Sequence, residues 1–197
     1  MTKAEPRTSF EWVTDLILDG DLQRLREAAP SLAEAIPELA PTVGFDQRSP
    51  HHAYDLFTHI ILVTSKVLPV PALRWAALLH DVGKIPTFTR DETGRGHFYG
   101  HAPASGKMAD AVLRRLEAPE ALRRRAVLLI EMHMTKLKPE KDALRQTLEE
   151  LGWEAIDQLL SLQEADMSSK GEETPREMAQ FPKLRQLLEE IKEETSI

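Results

Sequence analysis

The chain has 197 residues, a formal charge of −7, nine glycines and no cysteine. That length allows one domain with a substantial core. The absence of thiols excludes disulfides, thiolate zinc sites and cysteine nucleophiles, so any metal must take nitrogen and oxygen ligands. The acidic balance argues against general affinity for nucleic-acid backbones, while leaving room for one small phosphorylated molecule in a local basic pocket. High aliphatic content with 6% aromatics and little glycine favours helices over a sandwich or barrel. No apolar stretch approaches the roughly 20 residues of a membrane span. The start, Met1 to Arg7, has no signal-peptide core. A cytoplasmic location is expected.

In chain order, residues 1–8 read as loosely held. Phe10, Trp12, Val13, Leu16 and Ile17 form one helical face, which Gly20 ends. Leu22, Leu25 and Ala28 make a second short helix. Pro30 then punctuates, and Ser31 is the expected N-cap of a helix over 32–39. Residues 41–50 read as a loop. Residues 1–50 together predict a helical cap over the core.

A buried helix is predicted over 54–67, with Leu56, Ile60, Val63 and Val67 on one stripe and His59 beside it. Asp55, four residues earlier, is placed to stand behind the His59 imidazole. His51 and His52 precede this helix and face solvent or substrate. Pro69 to Pro71 turns the chain into a helix over 72–80, an apolar run that ends in His80-Asp81. Gly83 follows, where a helix can stop with φ > 0, and Lys84 adds a positive charge. Two strong ligand types in succession can grip one ion only at a helix end or in a crevice, because adjacent helical residues point about 100° apart.

Residues 87–100 predict a polar loop. It ends Gly96-His97-Phe98-Tyr99-Gly100-His101, and the glycines argue against reading His97 and His101 as a helical pair. His101 opens the next helix, over 103–116, with Pro103 in its first turn. A helix over 119–134 places His133 on its inward face and Arg123, Arg124 and Arg125 on a solvated one. Helices over 140–151 and 153–167 follow. The second carries Asp166 on a buried stripe, which is costly unless the carboxylate is paired or metal-bound. A polar loop over 168–175, a last amphipathic helix over 181–191 and a charged tail complete the chain.

Each ligand-type residue alone is explained as structure. Jointly, His59, His80, Asp81, His101, His133 and Asp166 all face one helical interior. Imidazole with carboxylate suits Mn, Fe, Co, Ni or Zn. Six protein ligands exceed what one catalytic ion needs, so two divalent transition-metal ions sharing a bridging carboxylate is the natural division.

The ordered set His…His-Asp…His…His…Asp resembles the HD superfamily of metal-dependent phosphohydrolases, and His80-Asp81-Val82-Gly83-Lys84 is similar to its His-Asp-x-Gly-Lys hallmark. The resemblance runs from about Pro50 to Ser169. A closer likeness is to the HD domain that follows the nucleotidyltransferase in bacterial CCA-adding enzymes. It rests on Pro37-Glu38-Leu39-Ala40, Gly44-Phe45-Asp46-Gln47, His51 to Asp55 with His59, and Gly96 to His101. The chain is expected to be too short to hold the polymerase domain as well, and no Gly-Ser motif with Asp-x-Asp is seen.

The resemblance implies an all-α HD-domain bundle of roughly eight to ten helices. Its domain would span residues 51–170, capped by 1–50, with a C-terminal helix and tail, 171–197, packed on it. It further implies hydrolysis of small nucleotides such as 2′,3′-cyclic nucleotides or nucleoside monophosphates. His59, His80, Asp81 and Asp166 resemble the core ligand set, with Asp81 as bridge and catalytic carboxylate. His101 and His133 resemble the additional ligands of two-metal members. Lys84 is implied as the catalytic cation that neutralises a phosphate oxygen, with His52 and His97 at the substrate. A single His133 where two adjacent histidines are usual, and no Gly-Tyr-Pro signature, set the chain apart from cyclic-di-GMP-cleaving members. A nonhydrolytic nucleotide-binding module and a di-iron oxygenase stay open as alternatives. Membrane and general nucleic-acid partners are not expected, and the oligomeric state is open.

Overall fold

The helix Pro71–Leu79 is enclosed on every side: from Leu73 through Leu79 each residue is buried, Arg74 included, and the bundle is arranged around it. In the computed structural model, which describes residues 9–49, 53–171 and 178–195, ten further α-helices and a short 3-10 helix accompany this element, eleven α-helices in all among the described residues. They are α1 (Phe10–Asp19), α2 (Leu22–Glu27), α3 (Ala29–Ala35), the 3-10 helix Pro37–Thr42, α4 (Leu56–Lys66) and α5 (Pro71–Leu79). Then come α6 (Lys84–Thr87), a ribbon of β1 (Thr89–Arg90) and β2 (Gly96–His97), α7 (His101–Arg115), α8 (Glu120–Met132), α9 (Lys141–Leu151), α10 (Trp153–Met167) and α11 (Gln180–Thr195). The expected all-α class holds, with one helix more than the expected range, the single turn of α6. His51, His52 and the N-terminal eight residues lie outside the described residues.

Helices α1, α4, α7, α8 and α10 pack on α5. Trp75 of α5 is fully buried; its ring stacks on Phe10 of α1 at 5.4 Å, and its Nε1 donates to Thr14 Oγ1 at 2.9 Å. One continuous apolar core runs from Val13 to Ile191, so residues 13–39 share the interior of the rest. Truncating Trp75 to alanine would cost roughly 3–5 kcal/mol. None of the described helices is long and apolar enough to cross a membrane.

Several local expectations give way to packing. Ser31 is not an N-cap: Pro30 sits in the first turn of α3, which its fixed φ suits, and Ser31 is inside the helix. Residues 37–42 tighten into a 3-10 turn instead of continuing α3, because Pro37 cannot donate to the ladder. The loop 87–100 contains a two-stranded ribbon, Thr89 opposite His97 and Arg90 opposite Gly96. The charged tail stays helical to Thr195, held by Lys141 to Glu190 and Glu194 at 2.8 and 2.7 Å. Arg123 is largely buried against Asp110 rather than solvated.

Gly83 is required for space and not for handedness. Its φ is −69°, and an added Cβ would lie 2.5 Å from both the His101 carbonyl oxygen and the Ser105 nitrogen. That close approach brings the start of α7 against the end of α5. Gly83 N–H donates to the buried Ser105 hydroxyl at 2.9 Å, which fixes the contact.

Candidate metal centre

The six candidate ligands are positioned chiefly by helix ends. His80 caps the C-terminus of α5 and His133 that of α8; His101 opens α7, and Asp166 lies in the last turn of α10. Only His59 comes from mid-helix, on the buried stripe of α4. Carbonyls of a last helical turn lack an intrahelical donor, and here imidazoles supply one. His80 Nδ1 lies 2.7 Å from the Ala77 carbonyl and His133 Nδ1 lies 2.6 Å from that of Ile130. His101 Nδ1 meets the Phe98 carbonyl at 2.9 Å, and His59 Nδ1 meets that of Ser169 at 3.1 Å. A carbonyl only accepts, so each Nδ1 carries a proton and each Nε2 is turned to the centre. Asp55 is not behind His59 as expected; its carboxylate caps α4 by accepting from Thr58 N at 2.7 Å.

The distances divide the set into two groups that share Asp81. In the first, His59 Nε2 is 3.3 Å from Asp81 Oδ2 and 3.1 Å from Asp166 Oδ1, while His80 Nε2 is 3.3 and 3.9 Å from the same two oxygens. In the second, Asp81 Oδ1 stands 3.4 Å from His101 Nε2 and 3.8 Å from His133 Nε2, and the two nitrogens are 3.2 Å apart. Ligands about 2 Å from a shared ion stand no more than about 4 Å from one another; the pairs above lie at 3.1 to 3.9 Å, and within each group all ligand atoms are within 4.8 Å of one another. One oxygen of Asp81 faces each group.

The protonation states of His101 and His133 fit a cation. Burial pushes His133 down to about 4 and also lowers His101, so both rings are neutral at pH 7. Two neutral Nε2 lone pairs then face each other across 3.2 Å, an arrangement that repels unless a cation lies between. His80 Nε2 and Asp81 Oδ1 are wholly buried and make no well-directed hydrogen bond among the described residues. Unsatisfied buried acceptors are expensive. Burial would raise Asp81 and Asp166, but their hydrogen-bonding and charged partners win. His80 and Lys84 hold Asp81, and Lys170 with His59 holds Asp166, well below the usual carboxylate range. Burial lowers His59, yet its hydrogen bonds to Asp166 and Asp81 leave it raised overall.

A cavity of about 240 Å3 opens onto Asp81, Lys84, His101 and His133, with His97 and Tyr99 at its wall. Lys84 is buried, its Nζ 2.7 Å from Asp81 Oδ2 and 2.9 Å from Gln47 Oε1. His97 faces the same cavity from β2, with Nε2 2.8 Å from Asp91 Oδ2. A second cavity, of about 530 Å3, adjoins His133, Asp166 and Lys170.

Three supporting roles escaped the sequence reading. Gln47 orients Lys84. Lys170 pairs with Asp166 Oδ2 at 3.0 Å. Gln163 donates to the carbonyls of His133 and Thr135 at 3.1 and 2.8 Å, which fixes the chain after α8. Gln163 stands three residues before Asp166 on α10, and so on the same face, which is the one signal that could have pointed to it. The partners of Gln47 and Lys170 are set by tertiary approach.

The HD domain family matches residues 59–176 of the chain. The A-adding tRNA nucleotidyltransferase of Deinococcus radiodurans is 37% identical over 161 residues, covering 79% of this chain and 37% of the relative. The CC-adding tRNA nucleotidyltransferase of Thermus thermophilus is 38% identical over 130 residues, covering 62% and 30%. The multifunctional CCA protein of Aromatoleum aromaticum is 35% identical over 139 residues, covering 62% and 33%. The chain therefore spans about a third of the length of these curated relatives.

Proposed function

The chain belongs to the HD domain family, and from that premise we propose that it is a metal-dependent phosphohydrolase of small nucleotides. The observation that carries the proposal is the shared carboxylate: Asp81 turns one oxygen to each of two converging ligand groups. His59, His80 and Asp166 would hold one divalent transition-metal ion and His101 with His133 the other, with Asp81 between them. Bound divalent ions polarise phosphoryl oxygens and acidify a water for attack.

The chain's own side chains supply the rest. Nδ1–H bonds to backbone carbonyls hold the four imidazoles in one tautomer and one orientation, so little reorganisation is needed when a ligand arrives. Lys84 brings a fixed positive charge to the cavity wall, where it neutralises a phosphoryl oxygen as charge grows in the transition state. In hydrolysis a water oxygen bonds to phosphorus, the bond to the leaving oxygen breaks, and that oxygen takes a proton. The substrate class proposed is a 2′,3′-cyclic nucleotide or a nucleoside monophosphate. The charge of −7 disfavours a long phosphate backbone, and a cavity of about 240 Å3 holds one phosphate with its nearest atoms. Two of the three relatives carry tRNA in their names, and the nucleotide is the unit common to tRNA and the proposed substrate.

The test is metal analysis of the purified protein, followed by turnover of 2′,3′-cyclic AMP and AMP with manganese, cobalt and nickel. Hydrolysis of either compound is expected. If both compounds stay intact with every metal while binding persists, the chain is a nonhydrolytic module. Oxygen consumption by an iron-loaded form would point to the oxygenase.

A further inference from the structure

We infer that the ring of Tyr99 is the platform on which the nucleobase of the substrate stacks; the inference rests on the nucleotide reading above. Tyr99 is 79% exposed, the highest value among the large apolar side chains outside the core. An exposed tyrosine ring contributes little to folding, yet this one is held in place. Its ring lies against His97 with centroids 5.4 Å apart and planes 7° from parallel. Its hydroxyl lies 3.3 Å from His97 Nδ1. His97 is itself fixed, because Nε2 donates to Asp91 Oδ2 at 2.8 Å. Asp91 Oδ1 in turn accepts from Thr93 N, Thr93 Oγ and Arg95 N at 2.9, 2.7 and 3.1 Å. A hydrogen-bonded chain from the ribbon thus presents an aromatic face to solvent.

Position says what that face meets. Tyr99 and His97 line the cavity that also holds Asp81, Lys84 and His101. At about 240 Å3 the cavity is smaller than the roughly 300–1,000 Å3 of pockets that enclose a whole small molecule. A phosphate seated at Lys84 takes the polar floor, and the rest of a nucleotide must leave through the mouth, where the Tyr99 ring stands. The larger neighbouring cavity meets this one at His133, Met134, Asp166 and Lys170, but its one phenyl ring, Phe181, is buried, so Tyr99 is the exposed ring beside a phosphate at Lys84. Stacking needs only a π-face, so the platform accepts purines and pyrimidines alike.

The experiment compares AMP with ribose 5-phosphate, which keeps sugar and phosphate and lacks the base. Binding to wild type, Tyr99→Ala and Tyr99→Phe is measured by calorimetry on zinc-loaded protein. Saturation-transfer NMR on the adenine protons is recorded alongside. Tyr99→Ala should weaken AMP by roughly 5- to 100-fold, the range for loss of one base–aromatic stack. It should leave ribose 5-phosphate unchanged and abolish most transfer to the adenine protons. Tyr99→Phe should behave as wild type. Because the side chain is exposed, Tyr99→Ala should fold normally. Equal weakening of both ligands, or of neither, overturns the inference, as does wild type that binds the two equally. Binding is read independently of turnover: wild type that hydrolyses nothing with any metal refutes the phosphohydrolase reading and leaves this comparison standing.

Discussion

His59 and His80 are 1% and 0% exposed and border neither cavity, whereas His101 and His133 form part of the wall beside Lys84. Both halves use imidazoles pinned through Nδ1 to a carbonyl, and both borrow an oxygen of Asp81. They differ in charge and in the access of their imidazoles, although Asp166 of the inner group lines both cavities. The inner half has Asp166 in addition to Asp81, two carboxylates held ionised in the interior. The open half has Asp81 alone and two rings that burial keeps neutral. An ion held by more charge and less water leaves more slowly, so the inner position should be the retained one. The open position, at the cavity, should exchange and meet the substrate.

The largest effect should come from removing what the halves share. Asp81→Asn keeps the shape and deletes the charge at both positions. Metal content should fall toward zero, and turnover should drop by more than the roughly 10³-fold that marks loss of a single preorganised contact. Full retention of metal and turnover in Asp81→Asn would end the two-group reading.

Next, the halves can be separated. His80→Ala should strip the retained ion and, with it, most activity. His133→Ala should leave one ion tightly bound and require excess metal in the assay. Chelator titration followed by metal analysis reads both. Equal loss in the two variants would erase the distinction between inner and open positions. Lys84→Met probes the open side without touching a ligand: turnover should fall by roughly 10²–10³ with metal content unchanged.

How far the sequence revealed this depends on periodicity. Helices α4, α5, α8 and α10 follow from apolar spacing, and the same spacing put His59, His133 and Asp166 on inward faces. His80-Asp81 stood out because an apolar run ends in two ligand types. What spacing does not carry is contact between distant segments. Asp55 was expected behind His59 because they are four apart; the capping demand of α4 took Asp55, and the Ser169 carbonyl took its place. Gly83 was read for handedness, and the crowding that needs it comes from α7, 18 to 22 residues later. The neutrality of His101 and His133 is likewise a product of burial that only the packed chain sets.

Gln47 offers the finest test of the open side. It is 2% exposed, lies in an irregular segment 37 residues before Lys84, and accepts from Lys84 Nζ at 2.9 Å. Asp81 Oδ2 competes for the same ammonium at 2.7 Å. With both acceptors present the lysine is held between carboxylate and amide, its charge facing the cavity. In Gln47→Ala the pull of Asp81 is unopposed and the ammonium should tilt onto the carboxylate. That withdraws charge from the phosphate and weakens Asp81 as a bridge. Loss of a partner that orients a site residue typically costs about 10- to 100-fold; the lower end is expected here, because the lysine itself remains. The measurement that separates this from general loosening is a double-mutant cycle. If Gln47 acts through Lys84, Gln47→Ala should cost almost nothing further in a Lys84→Met background. Additive losses would mean that Gln47 supports the site by another route, such as its own contact to the Tyr54 carbonyl at 3.4 Å.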